Sequence, residues 1–384
     1  MKYNPACQDQ SAISPEVRFG SLGKIFAQKS ATGATEWIVT GFEYARLVLG
    51  DANRFSSRFI NDNAPPELNA FELWDPPEHT EIRRMLMPEF NARRVRELRP
   101  SLESIVHPLL CSIAEKSPPV DLISNLVRPA AFSMMSRIVG IPESRRNDIY
   151  RWSQIFQSRS TPAQEKRQAG AEFLDMIRKI ASLARHDPGD NLPSRIIRRS
   201  GVSDRELISA VATVAIAGFD STASAVGVGL LGLLRNPDQF EKCRAYPHLI
   251  PTAVQELVRY ASILPFQARI ATTDAEIGGC RISAGEKVYV SLASASHDGS
   301  EFKHPDQLDV SRSPNRHLGF GYGIHHCLGR GFAEALFEII VTGISEKFSR
   351  ISIIDGEVDS QLVPADALFH AVSRLPVTFI KDLQ

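Results

Sequence analysis

The middle of the chain carries apolar residues at helical spacing. Between residues 102 and 185 this pattern predicts several amphipathic helices, which are interrupted at Pro118-Pro119 and at Thr161-Pro162. Nearer the N-terminus, the pattern at residues 36–40 predicts a short strand, and the one at residues 41–49 predicts a short helix. The pattern therefore predicts a short strand near the N-terminus, followed along the chain by a mainly helical region.

The longest apolar stretch begins at a capping box, Ser203-x-x-Glu206, and runs to Leu234. A helix of that length extends for roughly 45 Å, which is enough to span a membrane. Asp220 and hydroxyl residues at positions 209, 213, 221, 222 and 224 argue against contact with lipid. We therefore predict a long helix buried in a large core and no membrane partner.

Two shorter patterns predict local structure. Asp75-Pro76-Pro77-Glu78 predicts a helix start, with Asp75 as the cap and Glu78 at the capping-box position. His79 and Arg83 are four residues apart and so share one face of that helix. Residues 281–290 predict a hairpin with an Ala-Gly turn.

The densest glycine cluster surrounds a cysteine. Residues 320–329, here named the Cys loop, hold Gly321, Gly323 and Gly329 around Cys327. Apolar residues at helical spacing follow, so Cys327 lies at a loop-to-helix junction, where free backbone N–H groups stabilise a thiolate. From the residues alone, a buried inert cysteine and a small zinc site of His325, His326 and Cys327 remain alternatives.

Composition narrows the classes of partner. Lys+Arg and Asp+Glu number 44 each among 384 residues, so the charge balance does not indicate a nucleic-acid partner. The five scattered cysteines argue against a disulfide framework and for a reducing compartment. The first residues contain no hydrophobic run typical of a signal peptide or anchor, so we predict a cytoplasmic protein.

Four stretches together resemble one family. The Cys loop fills every specified position of Phe-Gly-x-Gly-x-His-x-Cys-x-Gly, the haem-ligand loop of cytochromes P450. Asp-Pro-Pro-x-His-x-x-x-Arg at 75–83, Ala-Gly-Phe-Asp-Ser-Thr at 217–222 and Glu256-x-x-Arg259 precede it in the P450 order. The resemblance implies a mainly α protein with small β-sheets, a single domain over 1–384 whose segment 1–40 is poorly defined. It places the haem between the long distal helix and the Cys loop.

The resemblance also implies a cofactor and its ligands. The cofactor is haem b, and Cys327 is the axial thiolate ligand and so the metal ligand. Its propionates are bound by His79, Arg83, Arg269 and His325. Whether His317 lies near these propionate ligands is left open. Glu256 and Arg259 are joined by Arg312 in a structural lock behind the haem.

The segment 217–222 resembles the oxygen-binding part of P450 proteins. There a glycine makes room beside the iron, and an acid followed by a hydroxyl residue relays protons to dioxygen. Asp220 and Ser221 are thus the predicted catalytic residues. The family usually has Thr where this chain has Ser221, and we expect Thr222 to face another way, about 100° around the helix. The freely rotating Ser hydroxyl can bond the carbonyl four residues back.

The resemblance implies a haem-thiolate monooxygenase that activates O2 reductively to hydroxylate a small organic substrate, in secondary metabolism. Its electrons come from a ferredoxin or flavodoxin and an NAD(P)H-dependent reductase. Arg93, Arg94, Arg96 and Arg99 form either a solvated face or a docking patch for that partner. Two other functions remain open, namely oxidative C–C, C–N or C–O coupling and non-catalytic ligand sensing. The predicted substrate pocket comprises Phe59, Phe71, Trp74, Val214, Ala217, Phe266, Gln267 and Phe369.

Overall fold

The computed structural model describes residues 24–30, 32–58, 71–158, 160–199, 201–354 and 369–381. Within these residues, helices outweigh strands. The α-helices are α1 (Phe42–Gly50), α2 (Glu78–Leu86), α3 (Ala92–Glu115), α4 (Arg128–Val139), α5 (Arg146–Gln157), α6 (Ala163–His186), α7 (Leu192–Arg199), α8 (Asp204–Leu234), α9 (Pro237–Ala245), α10 (Ile250–Ala261), α11 (Leu292–Ser296) and α12 (Arg330–Lys347). The strands are β1 (Ile25–Lys29), β2 (Thr35–Val39), β3 (Phe55–Ser56), β4 (Val120–Asp121), β5 (Phe266–Ala271), β6 (Ala275–Ile277), β7 (Cys280–Ile282), β8 (Lys287–Ser291), β9 (Phe348–Ile353) and β10 (Pro376–Lys381). The predicted mainly α class with small sheets is confirmed.

The strands form three small sheets, ordered β1-β2-β8-β5-β3, β4-β10-β9 and β6-β7. In the largest sheet, β2 and β8 are parallel and the other pairs are antiparallel. The predicted hairpin over 281–290 is wrong, because β7 pairs with β6 while β8 pairs with β2 and β5. The two-residue turn is instead Gly278-Gly279, where both φ angles are positive, as the favoured hairpin turns require.

Helix α8 runs through the core. Its capping box is present, because Ser203 Oγ accepts from the Glu206 amide and the Glu206 carboxylate accepts from the Ser203 amide. Its length and composition would allow it to cross a membrane, but 67% of its most apolar 18-residue window is buried inside the protein. It packs against α4, α6 and α10, which accounts for its apolar residues on every face.

The start of α2 differs from the prediction. The helix begins at Glu78 with Pro77 at the cap position, and no side chain caps it. Asp75 instead accepts hydrogen bonds from Ser56 Oγ (2.5 Å) and the Ser57 amide (2.9 Å). Because Asp75 thus holds the end of β3, it fixes where α2 enters the core rather than capping it.

The predicted structural lock is present. Arg259 donates to both carboxylate oxygens of Glu256 at 2.7 and 2.8 Å, and both side chains are fully buried. Arg312 Nε lies 3.0 Å from each of the same oxygens. Arg259 also donates to the carbonyls of Ser296 and Pro305 at 2.8 Å. This lock, the Glu256–Arg259–Arg312 triad, joins α10 to the chain that leads into the Cys loop.

Candidate functional site

The Cys loop is held in place by glycine geometry. Gly321 and Gly323 have φ of +72° and +74°, a region that residues with a Cβ rarely adopt. A Cβ on Gly323 would also lie 2.3 Å from the carbonyl oxygen of Leu49 at the end of α1. The Cys327 amide donates to the Phe320 carbonyl at 2.8 Å. These constraints present Cys327 just before α12, which begins at Arg330, so the predicted loop-to-helix junction is confirmed.

The Cys327 side chain opens into an internal cavity. It keeps accessible surface, yet burial raises the pKa of its thiol, and both hold because its surface faces the cavity rather than the outside. The backbone N–H groups of Gly329 and Arg330 and the charge of Arg83 oppose that rise in pKa. The thiol is therefore surrounded by donors suited to a thiolate that has a cationic partner in the cavity.

We name His79, Arg269 and His325 the donor cluster: His325 borders the cavity, and the other two lie close enough to His325 to influence its pKa. The His79 and His325 rings lie 4.3 Å apart, and neither nitrogen of either ring has a hydrogen-bond partner within the described residues. Arg269 donates once, to the Ala268 carbonyl, and its Nη2 has no partner there. Burial lowers the pKa of His325 to about 3 and that of Arg269 to about 10. Buried donors left unpaired in this way fit an anionic ligand.

Arg83 and His317 have other partners. Arg83 borders the cavity, and its Nη2 donates to the His326 carbonyl at 2.7 Å, which ties α2 to the Cys loop. His317 Nε2 lies 3.2 Å from Gln255 Oε1, and its Nδ1 accepts from the Gly319 amide. With both ring nitrogens engaged, His317 supports the backbone before the Cys loop and does not join the donor cluster.

The oxygen segment of α8 forms part of the cavity wall. Ser221 and Thr222 both border the cavity although they lie about 100° apart around the helix, because the cavity covers that much of the helix surface. Ser221 Oγ donates to the Ala217 carbonyl, the back-bonded arrangement expected for Ser. A Cβ on Gly218 would overlap Met135, so the space at this glycine is taken by a methionine side chain.

Asp220 points away from that wall. It is not among the residues that border the cavity, and its carboxylate accepts a hydrogen bond from Ser153 Oγ on α5. Burial raises its pKa, against hydrogen bonds from Ser153 and Gln157 and the charge of Arg128. Asp220 therefore joins α8 to α5 and reaches the cavity only if its carboxylate leaves Ser153.

The cavity matches part of the predicted pocket. Phe71, Val214, Ala217, Gln267 and Phe369 border it. Phe59 lies outside the described residues. Trp74 and Phe266 do not border the cavity. Trp74 packs against the main hydrophobic core, and Phe266 precedes Gln267 on β5, where successive side chains point to opposite faces. Sequence reasoning missed further lining residues, among them Glu72, Met134, Met135, Ile138, Thr213 and Leu264.

Of these, only Thr213 carried a usable signal. It precedes Ala217 and Ser221 by four and eight residues and therefore shares their helix face. Glu72 and the α4 methionines follow from no motif, since tertiary packing alone brings them to the cavity.

The arginine cluster after α2 is largely neutralised. Arg93 pairs with Glu97 at 2.9 Å, and buried Arg94 lies near Glu97 and Asp190. Arg99 pairs with Glu103 and with Glu338. Among the described residues, Arg96 is the member of the four without an ion pair. These acids lower the positive potential on which a docking patch depends.

The fold and the site define a class: a helical protein in which a cysteine on a glycine-rich loop and the unpaired His325 border the same cavity, with His79 next to His325. A sequence profile described as Cytochrome P450 matches residues 248–364. The chain is 33% identical over 362 residues to vitamin D3 dihydroxylase of Streptomyces griseolus, covering 90% of this chain and 88% of that protein. It is 35% identical over 366 residues to cytochrome P450 105A3 of Streptomyces carbophilus, with 90% and 88% covered. The chain therefore belongs to the cytochrome P450 family.

Solved structures agree with this assignment. The filipin I complex of CYP105P1 superposes with a TM-score of 0.89 at 29% identity, covering 99% of each chain. Mycinamicin IV hydroxylase/epoxidase of Micromonospora griseorubida is a further relative, 31% identical over 360 residues, with 90% of each chain covered. The chain is accordingly a cytochrome P450 monooxygenase, and P450 enzymes are haem-thiolate proteins.

Proposed function

We propose that this chain binds haem b through Cys327 and hydroxylates a small organic substrate of secondary metabolism. The observation that carries the proposal is that one cavity is bordered both by the Cys327 thiol, just before α12, and by His325, whose ring nitrogens have no hydrogen-bond partner within the described residues. Haem b carries one iron and two carboxylates, so it fits both features. When bound, haem supplies the reductive activation of O2.

Each residue then has a defined part. The backbone N–H groups of Gly329 and Arg330 hold the Cys327 thiolate by hydrogen bonds. His79, Arg269 and His325 donate to the propionates, and Arg83 adds positive charge while fixing the Cys loop through the His326 carbonyl. The Glu256–Arg259–Arg312 triad keeps the loop in register and has no part in the chemistry.

Protons reach the cavity along α8. Ser221 borders the cavity and can turn its hydroxyl from the Ala217 carbonyl toward a ligand beside it. Asp220 supplies a carboxyl whose pKa is raised by burial, and it can exchange protons with the cavity once it is released from Ser153. Phe71, Val214, Ala217, Gln267 and Phe369 contact the substrate, and the apolar members exclude water.

The partners follow from the class. A ferredoxin or flavodoxin with its NAD(P)H-dependent reductase delivers the electrons, and we place the enzyme in the cytoplasm. The relatives are named as hydroxylases and oxygenases, which does not favour oxidative coupling or ligand sensing for this chain.

Turnover with isotopic oxygen tests the reaction. The holoenzyme, a ferredoxin–reductase pair and a compound that displaces the iron-bound water should yield a product heavier by one labelled oxygen atom. A product lighter by two hydrogens would establish coupling instead. A compound that binds but is never converted under reduction would mark a ligand-binding protein.

A further inference from the structure

One acidic residue on the cavity has no part in the chemistry above. Glu72 belongs to the short 3₁₀ turn Phe71–Leu73, which precedes α2 and packs against α8. It borders the same cavity as Ser221 and Cys327. The wall around that cavity is otherwise mainly apolar, with Met134, Met135, Ile138 and Leu264 among its members. A carboxyl group in such surroundings needs an explanation.

Glu72 faces the cavity rather than the outside. Its side chain keeps accessible surface, yet burial raises the pKa of its carboxyl. Glu72 borders the cavity, so its accessible surface opens onto it while protein atoms surround the residue. The side chain therefore has room in front of it for a ligand atom.

The chain supplies no counter-ion for this carboxyl among the described residues. Apart from desolvation, the only influence on its pKa is a hydrogen bond from its own backbone. Arg83 borders the cavity but donates to the His326 carbonyl. Burial thus favours the neutral form of this carboxyl, and a cation bound beside it would favour the ionised form.

A second polar group on the cavity is also unpaired. Thr213 is 3% exposed, its hydroxyl has no hydrogen-bond partner within the described residues, and it borders the cavity. It stands eight residues before Ser221 on α8, a distance of about 12 Å along the helix. The cavity thus offers polar contacts away from Ser221, and such contacts orient a bound substrate.

We propose that Glu72 is the counter-ion for a cationic nitrogen on the substrate, so that the substrates are apolar compounds carrying one basic amine. This inference rests on the proposed function and specifies its substrate class. Apolar walls strengthen the attraction between the two charges, and a neutral analogue leaves the carboxylate unpaired. Glu72 is a binding and specificity residue, with no role in proton delivery.

A pair of isosteres tests the proposal on the holoenzyme. Benzyltrimethylammonium and neopentylbenzene have the same shape and differ in charge, and the quaternary nitrogen cannot ligate iron. Their dissociation constants are measured by the shift of the haem absorption band and by calorimetry. We expect Glu72→Gln to weaken the cation about tenfold relative to the hydrocarbon, as loss of one desolvated ion pair predicts.

Three controls make the result decisive. Glu81→Gln, at an exposed position of α2 outside the cavity, should bind both compounds as the native protein does. Glu72→Asp, which keeps the charge, should retain the preference for the cation. Equal effects of Glu72→Gln on both compounds would overturn the inference. The absorption spectrum of the reduced carbon monoxide complex is recorded first. If its red-shifted band is missing, the proposed function is wrong. If the band is present but the protein does not prefer the cation to the hydrocarbon, only the role of Glu72 is wrong.

Discussion

Two buried arginines from neighbouring elements differ in how fully the protein satisfies their hydrogen-bond donors, and this difference distinguishes a structural residue from a binding residue. Arg259 on α10 is completely buried and donates to Glu256 and to the backbone carbonyls of Ser296 and Pro305. Arg269 on β5 is 5% exposed, donates one hydrogen bond to its neighbour's carbonyl, and has no partner for Nη2 within the described residues. The first arginine is satisfied by the protein, and the second is satisfied only with a ligand present.

The contrast extends to the groups around them. Glu256 accepts from two arginines, from Asn315 and from the Asp309 amide. The histidines beside Arg269 have no acceptors at all within the described residues. Because an unpaired buried donor costs on the order of 1–3 kcal/mol, a fold retains several together only where a ligand compensates. The comparison predicts that mutations in the Glu256–Arg259–Arg312 triad lower the stability of the fold, whereas mutations in the donor cluster lower the affinity for haem.

The largest expected effect concerns the metal ligand. Cys327→Ala should abolish the red-shifted absorption band of the reduced carbon monoxide complex, because no other thiolate faces the cavity among the described residues. Cys243→Ala, at a buried cysteine of α9, is the matched control and should keep the band. Persistence of the band in Cys327→Ala would show that the axial ligand is another residue.

Breaking the satisfied region should cost stability. Glu256→Gln leaves Arg259 with a buried charge and no carboxylate, which predicts a loss of about 3–5 kcal/mol in the free energy of unfolding. The loss should appear in the haem-free protein, measured by urea denaturation. Glu103→Gln, which removes a partly exposed partner of Arg99, should leave the urea midpoint unchanged. An unaltered midpoint for Glu256→Gln would contradict a structural role for the triad.

Changing the unsatisfied region should instead cost haem affinity. Arg269→Met removes a charge-assisted donor to a propionate, so haem should dissociate about 10–100-fold more readily, as judged by its transfer to an acceptor protein. The haem-free variant should be at least as stable as the native chain, because an unpaired buried donor is gone. The double variant Arg83→Ala, Arg269→Ala is a stricter test, and full haem occupancy in it would refute propionate binding by these two arginines.

What the sequence revealed was limited by how each feature is encoded. The Cys loop, the triad and the capping box of α8 depend on spacing along the chain, and all three were predictable, whereas the cap expected at Asp75 was wrong. Strand partners depend on which surfaces meet, so β7 and β8 were wrongly joined across the turn between them. The arginines at 93–99 form a basic cluster in the sequence. In the structure, α3 brings Glu97 next to Arg93 and Glu103 next to Arg99, so much of that charge is neutralised.

The direction of a side chain was the least predictable property. Asp220 fits the family's oxygen motif, yet its carboxylate points to Ser153 on α5. Glu72 fits no motif, yet it faces the cavity. Both outcomes depend on contacts between elements distant in sequence, which neither periodicity nor motif spacing records.

The smallest effect we predict concerns Ser221. It tests whether the Ser221 hydroxyl serves a ligand in the cavity, as we infer for Arg269, or only the protein scaffold, as Arg259 does. In the structure it is satisfied by the Ala217 carbonyl, while its position borders the cavity. If it turns to the cavity during turnover, Ser221→Ala should raise the share of electrons lost to hydrogen peroxide by about fivefold, the equivalent of one hydrogen bond of ~1 kcal/mol. Ser221→Thr should couple electron use to product formation at least as well as the native enzyme, because the γ-methyl group restricts χ1.

Thr222→Val is the control: it changes a neighbouring hydroxyl on the same cavity wall and should leave the hydrogen peroxide yield unchanged. Unaltered coupling in Ser221→Ala would assign this hydroxyl to the helix alone, with protons then reaching the cavity through ordered water or the substrate.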